Sequence, residues 1–345
     1  MGQVSIKDIA KAAGVSFSTV SRALNGNPLI SQEVRARVQT LAREMGYTPN
    51  ALAQGLQSRM SHTVGLVITT ISDPFFVDVV KGVEEVAREA NFSLVLATSN
   101  NDPDQEMKII ETFSRRRVDG VIVAASQITS DYAARLEGIR IPVVMVNEQA
   151  MGGAGQQLFS VTVDDFAGGR LAVEHLIGLG HRSIGYIGAG NRPRSNSRRY
   201  RSYQAVLAEH GILPAPEWSC LSKETAIGDL EGDIRIGQCI VPQLLEAGVT
   251  AVFCYCDTVA VGAMLACHDL GVRVPEQVSL IGYDDNLLSE VTRPRLTTIH
   301  QPKREMGQAA MRMLLACMSG SQIGDLTLQP SLLVRGSTAP PHDTA

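Results

Sequence analysis

From Val64 to the end of the chain, short apolar runs rich in β-branched residues alternate with amphipathic stretches of helical length. No other feature constrains the fold as much. Val64–Thr69, Leu94–Ala97, Gly120–Ala124 and Val143–Val146 are strand candidates, with helices expected near 75–90, 103–116 and 131–138. A second series places strands at Ile184–Ile187, Ala251–Tyr255 and Val278–Ile281, with helices near 165–178, 197–210, 236–247 and 257–270. Strands separated by helices of this length pair in parallel through right-handed crossovers. Two such series exceed what one core organises, so they predict two doubly wound lobes. Ligands of open α/β sheets gather at the carboxyl ends of the strands, which implies a cleft between the lobes.

The first sixty residues read differently. They carry seven Lys or Arg against three acids, whereas the remainder carries 24 basic and 32 acidic residues. A small basic head on an acidic body suits a module that binds a polyanion. Ile6, Ile9, Ala10 and Ala13 share one helical face, Ser5 and Asp8 form a capping-box start, and Gly14 ends the helix. A second helix begins after Ser16 and runs to Leu24, before Asn25-Gly26-Asn27-Pro28. A third starts at Ser31 with Val34, Val38, Leu41 and Met45 inward and ends at Gly46. The expected core is Ile6, Ile9, Val15, Val20, Leu24, Val34 and Leu41. Two helices joined by a glycine-containing turn, the second rich in short polar residues and Arg, make a helix-turn-helix. Its second helix is expected to expose Phe17, Ser18, Ser21 and Arg22. Arg22 can donate two hydrogen bonds to guanine, Ser18 one to a base edge, and Phe17 can touch a thymine methyl. Ser16 caps the helix, while Thr19, Ser21 and Asn25 suit phosphates. The following Tyr47-Thr48-Pro49-Asn50-Ala51-Leu52-Ala53-Gln54-Gly55-Leu56 predicts a marginal fourth helix that forms only when docked, with Leu56 as a wedge between base steps of the minor groove.

Ile6-Lys7-Asp8-Ile9-Ala10, Gly14-Val15-Ser16, Thr19-Val20-Ser21-Arg22 and Tyr47-Thr48-Pro49-Asn50 together resemble the DNA-binding head and hinge of the lactose-repressor (LacI/GalR) family. The resemblance continues in Asp73-Pro74-Phe75-Phe76, Asp119-Gly120-Val121-Ile122, Ile141-Pro142-Val143-Val144, Leu179-Gly180-His181-Arg182, Val274-Pro275, Gly282-Tyr283-Asp284-Asp285 and Leu296-Thr297-Thr298-Ile299. It implies two lobes of the periplasmic-binding-protein type and a homodimer on double-stranded operator DNA, with Tyr47, Asn50, Ala53 and Leu56 among the DNA contacts. Its domains are then a head at 1–48, a hinge at 49–61 and a body at 62–340. The resemblance implies crossings near Val163, Arg293 and Ile323. They assign 62–162 and 294–322 to the first lobe, and 163–292 and 323–340 to the second.

Residues just after strands are the ligand candidates. Asp73, Phe75 and Phe76 follow the first strand, and an aromatic face beside a carboxylate suits a sugar ring. Asn147 follows the fourth strand, where relatives usually carry Asp. Arg199 matches the arginine that clamps ligand oxygens in the family, with Ser195 in the same expected loop, and Asp257 matches a ligand-binding Asp, although Cys256 replaces the usual Asn before it. Gln301 follows Thr297–Ile299. Trp218 lies in a stretch, 215–235, that fits the family poorly.

Other classes are disfavoured. Gly188-Ala189-Gly190 follows a strand, but Pro193 stands at the third glycine position of a dinucleotide-binding turn. No Walker loop, nucleophile elbow or His/Glu metal pair occurs. The six cysteines, all in the second half, lack paired metal-ligand spacing and read as reduced structural thiols. No catalysis, cofactor or metal is expected. A solute-binding protein of two lobes would need a signal peptide, which the N-terminus does not resemble, and would have no use for residues 5–46. The expectation is a cytoplasmic regulator, not bound to membranes, with a sugar-like effector.

Overall fold

The computed structural model describes residues 4–47, 60–124, 135–136, 138–139, 141–147, 158–189, 193–222, 230–321 and 323–342. The chain divides into two units, one ending at Ser61 and the other beginning at His62. The first unit holds helices α1 (Ile6–Ala13), α2 (Phe17–Leu24) and α3 (Gln32–Glu44). The backbone N–H of Ser5 donates to Asp8 Oδ2 at 2.9 Å, closing the expected capping box. Gly14, at φ 63°, supplies the left-handed turn that ends α1. Ser16 Oγ accepts from the N–H of Thr19 at 3.1 Å and so starts α2. Ile9, Val20 and Val38 meet at the centre with Ala10, Ala13, Ala23 and Ala42, whose small side chains let three short helices approach closely. Ile6, Val15, Leu24, Val34 and Leu41 pack around that centre.

The second unit contains two six-stranded sheets. The first is built from β1 (Thr63–Ile68), β2 (Ser93–Thr98), β3 (Gly120–Ala124), β4 (Val143–Val146), β5 (Phe159–Val163) and β11 (Leu326–Leu328). Its order is β11-β5-β4-β3-β1-β2, parallel throughout. Leu66, Ile68, Ile122, Val144 and Val146 point to one face, against helices α4 (Phe75–Glu89) and α11 (Lys303–Met318). Val67, Val121, Val123, Val143 and Met145 point to the other, against α5 (Pro103–Arg115). Burial on both faces explains why these strands read as continuous apolar runs.

The second sheet comprises β6 (Ile184–Ala189), β7 (Ser219–Ser222), β8 (Ala251–Cys254), β9 (Ser279–Asp284), β10 (Thr297–His300) and β12 (Ser331–Leu333), in the order β12-β10-β9-β8-β6-β7. Only β12 runs antiparallel to its neighbour. Its helices are α6 (Asp165–Gly178), α7 (Pro193–Glu209), α8 (Leu230–Glu246), α9 (Asp257–Asp269) and the short α10 (Leu287–Val291). Trp218, unplaced by the sequence, packs against this lobe's core and donates from Nε1 to the carbonyl of Ala247 at 3.3 Å.

Three expectations need correction. Segment 294–322 does not lie wholly in the first lobe, because Thr297–His300 pairs with β9 in the second sheet. Residues 323–340 are likewise split, since Leu326–Leu328 pairs with β5 in the first. The second and third crossings therefore fall at 301–302 and 329–330, each placed by backbone pairing that a run of three or four residues cannot announce. Helix α7 starts at Pro193, not 197, which places Ser195 and Arg199 on a helix and not in a loop. The helix expected near 131–138 lies largely outside the described residues.

Paired helices pack at glycines. A Cβ on Gly262 of α9 would stand 2.0 Å from the carbonyl oxygen of Ile234, and one on Gly237 of α8 would stand 2.1 Å from that of Val259. Gly262→Ala should therefore cost ~1–3 kcal/mol, the usual range for overpacking. Gly178→Ala, where nothing lies within 4 Å, should be neutral or slightly stabilising. Denaturant midpoints of the two variants check the contrast.

Candidate functional site

Helix α2 presents one polar face. Phe17 is 53% exposed, Ser18 and Arg22 are exposed, and Val20 and Ala23 turn inward. No acidic residue occurs between Gly14 and Gln32. Asn25 is exposed just beyond the helix, and Thr19 is half-buried with Oγ1 2.8 Å from Ser16 Oγ. Ser21 departs from expectation. It is buried, because its hydroxymethyl group is shorter than its neighbours one turn away, Phe17 and Asn25. Tyr47 packs half-buried against the core of the head. Asn50, Ala53 and Leu56 lie outside the described residues.

In the second unit, topology locates the cleft. Strand β5 runs parallel to its sheet and its carboxyl end leads directly into α6 of the second lobe. Strand β10 runs parallel to β9, and its carboxyl end leads into α11 of the first lobe. Both sheets thus direct their carboxyl ends at the junction, where open α/β sheets bind ligands.

On the second lobe, Arg199 is the centre of that wall. Its side chain is 4% exposed. Nε and Nη2 each lie 2.8 Å from Asp165 Oδ1, and Nη1 donates to the carbonyl of Tyr255 at 2.7 Å. The guanidinium carbon sits 3.6 Å from the centroid of the Tyr283 ring. Burial by itself would ease its deprotonation, but the charge of Asp165 and the surrounding groups outweigh that and hold the guanidinium charged. Burial raises the Tyr283 phenol well above its ordinary range. The arginine expected to clamp a ligand is therefore also the internal tie of its own lobe, and removing it would disturb the fold.

Asp257 is fully buried at the start of α9. It accepts from Thr298 Oγ1 at 2.5 Å and from the N–H of Asn286 at 2.8 Å. Burial, and then the nearby Asp284 carboxylate, push it well above the usual carboxylate range. Both oxygens are engaged in joining β10 and α10 to α9, so this residue shapes the wall from behind, contrary to the expected ligand contact. Asp284 ends β9 with φ 117°. It receives a hydrogen bond from Gln301 Nε2 at 2.6 Å, and its Oδ1 lies 3.9 Å from Arg199 Nη1. Lys303, also buried, donates to the carbonyl of Asp285 at 2.9 Å and to that of Asp284. The Asp285 carboxyl would be raised by burial, but hydrogen bonds from His300 and Arg335 prevail and bring it to about 2.

The first lobe keeps fewer of its candidates. Phe75 and Phe76 are 2% and 1% exposed, pack edge to face at 5.3 Å and belong to the core, so neither offers a ring face to a sugar. They follow Asp73-Pro74 at the start of α4, whose inner side must cover the sheet. Asp73 is buried and accepts from the N–H of Phe75 at 2.9 Å. Asn147, at φ 62°, stands half-buried just past β4, a left-handed position that Asn tolerates. Ser195, half-buried, lies one turn before Arg199. Sequence reasoning brought Arg199, Asp257 and Gln301 to one cluster but missed Asp165, Tyr283, Asp284 and Lys303. Asp284 was legible by the rule that put forward Asp73, since it stands at the carboxyl end of a strand.

Leaving Arg199 buried without its counter-charge should cost ~3–5 kcal/mol. Asp165→Asn is accordingly expected to lower the thermal midpoint sharply, as a melting curve would show, while a substitution of the exposed Glu217 should not.

Two family models match the chain, "Bacterial regulatory proteins, lacI family" over residues 5–50 and "Periplasmic binding protein-like domain" over 173–338. The chain is 34% identical to the ribose operon repressor of Haemophilus influenzae over 336 residues, which is 96% of this chain and 98% of the relative. The crystal structure of the lac repressor dimer bound to operator and the anti-inducer ONPF superposes with a TM-score of 0.86 at 26% identity, covering 98% of this chain and all of that one. A LacI-family regulator from Enterococcus faecium, solved with bound ribose, gives a TM-score of 0.70 at 28% identity, covering 81% of this chain and 99% of that one. With a basic, acid-free recognition helix ahead of two parallel-sheet lobes, and with such extensive likeness to these repressors, the chain belongs to the LacI family of bacterial regulatory proteins.

Proposed function

We propose that the protein is a transcriptional repressor that binds double-stranded operator DNA as a homodimer in the cytoplasm, and that a small sugar-like effector between its lobes sets the strength of that binding. It acts by binding and catalyses no reaction. The observation that carries this reading is the exposed Phe17, Ser18 and Arg22 face of α2, free of acidic neighbours, in a chain that also holds a cleft walled by buried polar groups. Phe17, Ser18 and Arg22 read base edges, and Ser16, Thr19 and Asn25 fix the register on phosphates. Tyr47, Asn50, Ala53 and Leu56 add contacts beyond the head, Leu56 in the minor groove. A homodimer would set two such helices on half-sites one helical turn apart. Occupancy of the cleft alters the relation between the lobes and thereby the spacing of the two heads, a coupling that requires the effector to favour one arrangement over the other.

The test uses an operator selected from a random-sequence library. Arg22→Ala should lose ~1–3 kcal/mol at that site while retaining most of the salt-dependent binding to unrelated DNA. Fluorescence anisotropy on both DNAs measures the two losses. Equal proportional losses would show that Arg22 holds phosphate and reads no base.

A further inference from the structure

The wall of the cleft also discriminates among effectors by charge. Among the described residues of the second unit, the buried cations at the carboxyl ends of the strands are Arg199 and Lys303. Both are committed. Arg199 is paired with Asp165 and covered by the Tyr283 ring, and Lys303 is held by the carbonyls of Asp284 and Asp285. Around them lie the buried carboxylates of Asp73, Asp165, Asp257 and Asp284. Even with Asp257 counted as protonated, carboxylates outnumber cations. An anionic group entering here would lose its hydration and meet an excess of negative charge.

The wall is instead rich in hydrogen-bond acceptors. Gln301 is 1% exposed, and its Oε1 has no partner. Its orientation is fixed by chemistry. An ionised carboxylate only accepts, so the amide nitrogen must face Asp284 and the oxygen must point the other way. On the other lobe, Thr69 Oγ1 is also buried without a partner just past β1. Unsatisfied polar atoms this deep are rare and call for a partner that brings hydroxyl groups. A planar base is not favoured, since Phe75 and Phe76 are sunk in the core and the Tyr283 face is taken by Arg199.

We infer that the effector is an uncharged polyol whose hydroxyl groups donate to Gln301 Oε1 and Asp284, and that sugars bearing phosphate or carboxylate groups are rejected. This rests on the reading of the inter-lobe cleft as the effector site. Gln301 is then the residue that reports ligand to the crossing between β10 and α11, because it stands at the first position beyond the strand.

The full-length protein is screened by thermal shift against neutral pentoses, hexoses and disaccharides, their phosphate esters and acid derivatives, and free purines and nucleosides. A neutral sugar should raise the melting temperature and change operator affinity, while its phosphate ester does neither. For that sugar, Gln301→Met should weaken Kd about 10- to 100-fold, the loss expected for one buried hydrogen bond to a ligand, with operator binding of the unliganded protein retained. Asp284→Asn should weaken it as well. A shift produced by a phosphate ester, an acid or a purine overturns the inference and leaves the regulator intact. So does a neutral sugar whose affinity is unchanged in Gln301→Met and Asp284→Asn. If no compound of any class shifts the protein or alters operator binding, the reading of the cleft as an effector site fails with it.

Discussion

The body of this protein depends on one buried ion pair. A guanidinium removed from water is tolerated only if its charge and its donors are met inside, and at Arg199 they are met by Asp165, the Tyr255 carbonyl and the Tyr283 ring. These partners come from α6, the end of β8 and the end of β9, so a single side chain on α7 fixes four elements at the ends that face the junction. Asp165 is also the second residue after β5, which fastens the first crossing of the chain to the same point. The second crossing is held alongside by Gln301 on Asp284 and by Lys303 on the carbonyls of Asp284 and Asp285.

Small residues make this wall possible. A Cβ on Gly168 would stand 2.2 Å from the Tyr283 hydroxyl, and one on Gly282 would stand 2.3 Å from Asp257 Oδ1. The same close packing recurs at Gly82 and Gly307 between α4 and α11 in the first lobe, where each Cβ would meet a carbonyl oxygen of the other helix at 2.1 Å. Helices at such distances have little room to slide. Movement on effector binding is thereby confined to the crossings, and a shift at 301–302 is passed on as a rotation of one compact lobe against another.

The head was almost fully legible. Caps, turn glycines and one apolar stripe per helix are local features, and Ser5, Gly14, Ser16 and Gly46 each stand at or beside the end of the helix they delimit. Ser21 was misjudged because helical spacing specifies a direction, whereas exposure depends also on how far the neighbours reach. In the body, long two-sided apolar strands such as Thr63–Ile68 and Gly120–Ala124 announced themselves. Three-residue strands such as Leu326–Leu328 and Ser331–Leu333 did not, since hydrogen bonds to strands more than thirty positions away are what make them strands.

By itself, then, the sequence determined the helix-turn-helix, the basic recognition face and the existence of two parallel lobes, because each follows from periodicity, capping and charge among near neighbours. Only the tertiary structure decided which polar residues of the cleft are still available. Arg199 and Asp257 were identified as candidates by position after strands, yet both are already engaged by partners brought from distant parts of the chain, while Gln301 retains an acceptor with none. Whether a buried polar atom is satisfied is a property of its three-dimensional neighbours, and spacing along a chain carries no record of them.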